Sequence, residues 1–324
     1  MKYAPISIVI PTWNGKKLLK RYLPAVVRSA QAYRAETEIV VVDDGSIDGT
    51  VSYLKKNYPN INIISRDKNG GFASACNLGV AKCKHEIVVL LNNDMWIEEG
   101  FFKPLSKHFK DPNVFGLAVA TPRLTNEPFS NQNTIRFGLK LKYGMIECPL
   151  FELVDERGLQ EASHTFKLSG GASVIDKEKF LEINGFDELF SPFYWEDVDL
   201  SYRIWKRKWL IIYEPKSVAR HQVHGTINSK YFEPNFIKKV SERNRYILIW
   251  KNISDYYIIF KHIVFIPIRM CAAVFRGQLL VSVNALTEAL GMLPLILKKR
   301  KNQKEYRFVS DKEIFHKFDL KQDT

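Results

Sequence analysis

The chain has 324 residues, of which 46% are hydrophobic and 26% charged, ordinary values for a globular protein with a real core. Its net charge of +13 is unevenly spread: residues 1–229 carry 30 Lys and Arg against 26 Asp and Glu, whereas residues 230–324 carry 18 against 9. That basic excess lies in a region rich in Ile, Leu, Phe and Tyr, so it points to an anionic membrane surface rather than to nucleic acid, for which no motif is present.

Apolar runs at residues 6–10, 38–42, 61–64 and 86–91 alternate with helical patterns near 16–33, 48–57 and 72–83. Short β-rich runs separated by helices imply βαβ units, hence an α/β fold with a mostly parallel central sheet flanked by helices. The run at 6–10 is too short for a signal-peptide core. The four cysteines, Cys76, Cys83, Cys148 and Cys271, show neither CxxC pairing nor zinc spacing, which suits free thiols in a reducing cytoplasm.

From 95 to 165 the pattern loosens around five prolines, and this stretch is expected to extend the sheet and carry a less regular binding surface. A strand is predicted over 166–176, running through Gly170-Gly171, then helices near 177–183 and 197–207 and a strand over 210–213. Beyond 236, Tyr246, Ile249, Trp250 and Ile253 keep helical spacing, and Leu279, Val283, Leu286, Leu290, Leu293 and Leu297 form a stripe at steps of three and four. Gln278, Ser282, Asn284, Glu288 and Pro294 argue against a helix bathed in lipid all round. The expectation is an amphipathic extension, 231–324, that either packs on the core or docks on a membrane. The cluster Lys298-Lys299-Arg300-Lys301 with Lys304 favours docking, since each surface cation near anionic lipid contributes about 1 kcal/mol.

Four strand ends collect polar residues: Pro11-Thr12-Trp13-Asn14-Gly15, Asp43-Asp44-Gly45-Ser46, Arg66-Asp67-Lys68-Asn69-Gly70-Gly71, and Asn92-Asn93-Asp94. Parallel strand ends converge on one edge, so a single crevice should gather Asp43, Asp44, Asn69 and Asp94 where open α/β sheets bind ligands. A lone strand-end Asp is more often a turn cap, and turn chemistry accounts for the glycines. Acids repeated at the ligand-binding edge are not explained that way. No G-x-G-x-x-G follows the first strand and no G-x-x-x-x-G-K-[ST] occurs, which disfavours dinucleotide and P-loop enzymes. Carboxylates could still read a base and ribose, with phosphates neutralised by a divalent cation on Asp94; hard oxygen ligands suit Mg²⁺ or Mn²⁺.

The series Ser7-Ile8-Val9-Ile10-Pro11-Thr12-Trp13-Asn14-Gly15, Val41-Val42-Asp43-Asp44-Gly45-Ser46, Asn69-Gly70-Gly71-Phe72-Ala73 and Leu91-Asn92-Asn93-Asp94 resembles the family 2 inverting glycosyltransferases of GT-A fold, nearest their rhamnosyltransferase-like branch. The likeness covers residues 5–230: a nucleotide-sugar-binding half, 1–94, and an acceptor and catalytic half, 95–230. It implies a nucleoside diphosphate sugar donor (UDP-, dTDP- or GDP-sugar) held by Pro11, Thr12, Asn14, Asp43, Asp44, Asn69, Gly70 and Asn93. Asp44 would read the pyrimidine, Asp43 would support it, and Asp94 would be the metal-binding acid of the family's D-x-D motif, in which Asn92 replaces the first Asp.

Acids at 196, 197 and 199 open a helix, where the dipole stabilises carboxylates. The resemblance puts the acceptor-activating base at Asp197, with Glu196 as alternate. A loop His is ordinarily a surface or packing residue, but relatives place a metal-ligating His near Arg220-His221-Gln222-Val223-His224; His221 fits best, and His224 is the alternate. The implied activity is transfer of a single sugar to a hydroxyl of a glycan or lipid-linked acceptor in polysaccharide or glycoconjugate synthesis, at the inner face of the cell membrane. No Q-x-x-R-W motif of processive relatives occurs. The rivals are a sugar-phosphate nucleotidyltransferase, which lacks its phosphate loop here, and an inactive membrane-associated scaffold.

Overall fold

The computed structural model describes residues 3–121, 135–152, 161–221 and 232–319. In chain order the first half runs β1 (Ile6–Thr12), α1 (Lys16–Gln31), β2 (Thr37–Asp43), α2 (Thr50–Asn57), β3 (Asn62–Ser65), α3 (Phe72–Lys82), β4 (Ile87–Leu91), β5 (Met95–Ile97) and β6 (Val114–Ala120). Then follow β7 (Ile135–Phe137), β8 (Lys140–Lys142), β9 (Met145–Glu147), β10 (Leu150–Glu152), β11 (Ser163–His164), β12 (Ala172–Asp176), α4 (Lys177–Glu182), α5 (Glu196–Lys206) and β13 (Leu210–His221). Five helices end the described chain: α6 (Pro234–Asn252), α7 (Tyr256–Phe275), α8 (Leu279–Gly291), α9 (Leu293–Asn302) and α10 (Asp311–Phe318).

The central sheet has nine strands in the order β11-β13-β6-β12-β4-β1-β2-β3, with β5 pairing β13. Its β3-β2-β1-β4 portion is parallel, as the βαβ pattern predicts, with Ile8 opposite both Ile39 and Val89. The rest is mixed, because β12 runs antiparallel to both β4 and β6. Alternation along the strands feeds two cores. Ile6, Ile8 and Ile10 face α1, and Val9, Val40 and Val42 face α3 and the second half of the chain. Helix α3 lies so close to the sheet that a Cβ on Gly79 would stand 2.4 Å from a Val9 methyl carbon, so only glycine fits there.

Three sequence expectations change. The strand predicted over 166–176 is confined to β12, because upstream amides are taken by α5: Leu168 N–H donates to Ser201 Oγ at 3.0 Å and Gly170 N–H to Asp197 at 3.3 Å. Strand β13 continues far past 213, crossing an irregularity between Glu214 and Val218 to pair with β5; Glu214, Pro215 and Lys216 break the apolar pattern that would have shown it. The stripe over 279–297 bends by 56° between α8 and α9, where Pro294 starts a new helix.

Most of the stripe points outward, with Leu286 packed on the core. Leu279, Val283, Leu290 and Leu297 are exposed, while Ser282, Ala285, Ala289 and Ile296 are buried, since small residues let α8 approach α6 closely. Residues of α6, α8, α9 and α10 share one core with α3 and α5. Helix α7, not singled out by the sequence reading, is long and apolar enough to cross a membrane, with mean hydropathy 1.9; α8 and α9 pass the same test only as one bent pair.

Candidate active site

The site forms at the carboxyl ends of β1, β2 and β4, around a cavity of about 730 Å³. Pro11, Thr12, Asp44, Asn69, Asn92, Asn93 and Asp94 line it, together with Gly170, Gly171, Glu196 and Asp197. Asp44 is held in a cradle: Gly70 N–H donates to both its carboxylate oxygens at 3.1 Å, Gly71 N–H donates at 2.9 Å, and Arg66 Nη1 stands 3.0 Å away. Gly71 has φ +89°, a backbone only glycine adopts without strain, so the Asn69-Gly70-Gly71 turn is the device that aims two amides at Asp44.

Three of the predicted donor residues do not line the cavity. Asp43 lies buried behind it and accepts from Ser46 N–H at 3.2 Å. Asn14, at φ +48°, ties the β1 and β2 loops together, donating its N–H to Ser46 Oγ and accepting from Ile47 N–H. Gly70 contributes its amide to Asp44. Asn93 Nδ2 donates to Thr12 Oγ1 at 2.7 Å, fixing two lining residues to each other.

Asp94 is buried at the strand end beside Asn92 and Asn93. This carboxylate and the neighbouring amide oxygens are hard donors that fit Mg²⁺ or Mn²⁺ with water and phosphate completing the shell. Among the described residues no three His, Cys, Asp or Glu side chains gather around one ion position. His221 ends β13 with its backbone opposite Met95, next in sequence to Asp94; its side chain, like His224 as a whole, falls outside the described residues.

Another part of the lining is built by a left-handed turn: Tyr194 and Trp195 have φ +72° and +73° immediately before α5. Such backbone costs on the order of 1–3 kcal/mol per residue and persists only when its surroundings hold it. Asn244 of α6 does so, donating from Nδ2 to the carbonyls of Phe190, Phe193 and Tyr194 at 2.7, 3.0 and 2.9 Å. Trp195 Nε1 donates to Ser241 Oγ. The turn delivers Glu196 and Asp197 to the cavity, while Asp199 points inward and is fully buried.

Asp197 accepts from Lys167 Nζ at 2.7 Å, from Gly170 N–H, and from Val198 N–H. Burial works against the Lys167 ammonium, but Asp197 and the nearby Cys148 outweigh it and raise the lysine's pKa, so a cation faces the carboxylate. Glu196 differs. Burial, and then the adjacent Asp197 charge, pushes it up to about 8, and its Oε2 meets no hydrogen-bond partner among the described residues. One acid is thus held opposite a cation and the other is kept neutral, the separation of roles that acid–base sites exploit.

Residues 7–177, more than half of the chain, match the family model for glycosyl transferase family 2. The chain belongs to that family. Residues 157–224 also match the model described as the N-terminal domain of galactosyltransferase. The N-acetylglucosaminyl-diphospho-decaprenol L-rhamnosyltransferase of Mycobacterium tuberculosis is 24% identical over 68% of this chain and 77% of its own. The pre-mycofactocin glycosyltransferase of the same organism is 27% identical over 67% of this chain, which spans only 42% of that relative. Among solved structures, GalNAc-T7 with UDP, GalNAc and Mn²⁺ superposes with a TM-score of 0.61 at 18% identity, over 79% of this chain and 49% of that one. The mannosyltransferase PcManGT from Pyrobaculum calidifontis, with GDP-Man and Mn²⁺, gives 0.54 at 16% identity over 94% of this chain and 85% of that one. These likenesses show the GT-A fold.

The site of this glycosyltransferase also contains residues that the sequence does not mark. Lys167 and Asn244 carry no motif; the only hint of Asn244 is a polar residue two positions before the apolar run at 246–250. An aromatic rim joins Trp13, Phe193, Phe232 and Phe236, with Phe193 and Phe232 centroids 5.0 Å apart; its members come from three separate segments.

The raised pKa of Glu196 has a measurable consequence. A carboxyl whose folded pKa exceeds its unfolded value favours folding below about pH 4.3 and loses that contribution as pH rises through the folded value, here about 8. Thermal melts of Glu196→Gln should match wild type near pH 4 and exceed it near pH 8.5. Parallel melting curves at both pH values would return Glu196 to an ordinary solvated acid.

Proposed function

We propose that this family 2 glycosyltransferase moves one sugar, with inversion, from a nucleoside diphosphate sugar to a hydroxyl of a glycan or lipid-linked acceptor. The observation that carries the reading is the meeting of Asp44, Asp94 and Asp197 on one cavity. It is supported by fold neighbours whose structures hold UDP, UDP-GlcNAc or GDP-Man. Asp44, fixed by the Gly70 and Gly71 amides, presents a carboxylate edge suited to a base N–H. Asp94, with Asn92 and Asn93, would hold Mn²⁺ or Mg²⁺, with His221 as a further ligand. Bound there, the ion would neutralise the charge of the departing diphosphate. Asp197 takes the acceptor hydroxyl proton, Lys167 orients it, and neutral Glu196 donates a hydrogen bond toward the acceptor.

The same proposal sets the enzyme on a membrane surface. The outer face of α7 is apolar from end to end, with Tyr256 90% and Phe275 92% exposed. Its inner face is tied to the domain: Trp250 Nε1 donates to His262 Nε2, the other His262 nitrogen reaches Gly144 O at 2.7 Å, and Arg269 donates to Tyr143 O. A helix held along its length on one side and apolar on the other lies in the interface plane.

Nucleotide-sugar panels tested by thermal stabilisation identify the donor, since a ligand at about 100 times its Kd adds about 2.7 kcal/mol. Asp44→Ala should abolish stabilisation by every donor. Asp94→Ala and His221→Ala should each remove only the increment that Mn²⁺ adds and EDTA reverses. Undiminished donor binding by Asp44→Ala would overturn its assignment, and a wild-type metal response in either other variant would release that residue.

A further inference from the structure

Beside the first turn of α7 is a second cleft, of about 510 Å³, lined by Ser254, Tyr256, Leu297, Arg300, Lys301, Lys304 and Arg307. No carboxylate lines it. Asp311, whose charge reaches Arg300 and Arg307, is buried and already engaged by Lys206 Nζ at 2.5 Å, the Tyr202 hydroxyl and the backbone amides of Ser254 and Asp255. None of the four cations forms an ion pair among the described residues. Arg300 is anchored by donating Nη1 to the carbonyls of Trp250 and Ile253, and Arg307 donates to Arg300 O at 3.2 Å. Two guanidinium groups are therefore fixed in place, and the Lys301 and Lys304 ammonium groups stand in solvent at the mouth.

The apolar wall of this cleft continues into the exposed face of α7. Tyr256 lines the cleft and begins the row Tyr256, Phe260, Ile263, Val264 and Ile268, all exposed, at helical steps of three and four with Ile263 and Val264 side by side. Leu297 adds an exposed apolar side chain from α9. A cationic recess that opens onto an apolar ridge matches an anionic phospholipid, phosphate inward and acyl chain along the ridge.

We propose that the Arg300, Lys301, Lys304 and Arg307 cleft binds the phosphate of an anionic phospholipid headgroup and so fixes how the enzyme sits on the bilayer. This rests on the membrane-surface reading above, which itself depends on the ridge of α7 rather than on the cleft. The test compares full-length wild type, Lys301→Ala/Lys304→Ala and Phe260→Glu in sedimentation with phosphatidylcholine vesicles and with vesicles containing phosphatidylglycerol. Thermal melts verify folding, and Lys304→Ala alone serves if the double variant is unstable.

Wild type should prefer anionic vesicles, the lysine variant should bind them roughly tenfold or more weakly while keeping wild-type binding to phosphatidylcholine, and Phe260→Glu should lose binding to both. Equal anionic preference in wild type and lysine variant overturns the cleft and leaves the membrane reading standing. Wild type that binds neither vesicle overturns both. Thermal stabilisation by millimolar inorganic phosphate, lost in the lysine variant and without vesicle preference in wild type, assigns the cleft to a free phosphate and overturns the headgroup.

Discussion

Asp197→Asn should lower kcat by about 10²- to 10⁴-fold, the usual contribution of a positioned general base, while leaving donor-induced thermal stabilisation intact. Asparagine keeps the shape of the side chain and can still accept from the Gly170 amide, but it takes no proton. The residues proposed to hold the donor, Asp44, Asn69 and Asp94, come from other segments of the chain than Asp197, so nucleotide binding gives a control within the same protein. Glu196→Gln is the companion variant. A carboxyl pushed up to about 8 is protonated at neutral pH and poorly suited to accept a proton there, so its amide analogue should retain most turnover. Its activity should also hold at alkaline pH, where wild type gains a second charge beside Asp197 and declines. The reverse pattern, full turnover in Asp197→Asn and collapse in Glu196→Gln, would exchange the two roles. Lys167→Met should fall between them, reducing kcat more than KM, because it removes the ammonium that holds Asp197 without touching the donor.

The half of the site proposed to hold the donor was legible because its determinants are local. Each loop follows its own strand, its turn residues are adjacent in sequence, and a parallel sheet brings consecutive strand ends together without further information. The catalytic half was legible only as a motif. That Asp199 turns inward depends, besides its i,i+4 neighbour Arg203, on partners beyond any local pattern: Lys251 and Asn252, both more than fifty positions away. The non-strand course of 166–171 depends on Ser201 and Asp197 capturing its amides. Helix α7 escaped notice because Lys261, His262, Pro267 and Arg269 interrupt its apolar pattern, and only the folded chain shows His262 and Arg269 bonded to the domain. The expected division at 230/231 likewise hides that α6 supplies Asn244 and Lys251 to the catalytic half. Removing everything after residue 240 would dismantle the Tyr194–Trp195 turn along with any membrane contact, so point substitutions on the outer face are the informative probes.

Lys251→Met should destabilise the protein by about 3–5 kcal/mol, the cost of leaving buried charge uncompensated; at roughly 2–4 °C per kcal/mol this is a fall in Tm on the order of 10 °C. The ammonium is 1% exposed and stands 2.7 Å from Asp199 and 2.6 Å from Asp187. Arg203 also meets Asp199, and Lys299 meets Asp187, so one network bolts α5 and the loop before it to α6 and α9. Burial opposes both carboxylates, yet the surrounding cations win and hold their pKa values below the ordinary range. A lowered carboxylate pKa contributes stability that is present above the unfolded value of about 4 and is lost as pH falls through the folded value. The penalty of Lys251→Met should therefore be largest near neutrality and shrink on acidification, as the stranded acids take up protons. Adding Asp199→Asn should recover part of the loss, because one of the two carboxylates that lose the Lys251 ammonium is neutralised. The coupling between the two changes, read from a double-mutant cycle of denaturant melts, measures how firmly α6 is joined to the helix that carries Asp197. Independent, additive losses would mean that the catalytic wall is held by the Asn244 clamp alone.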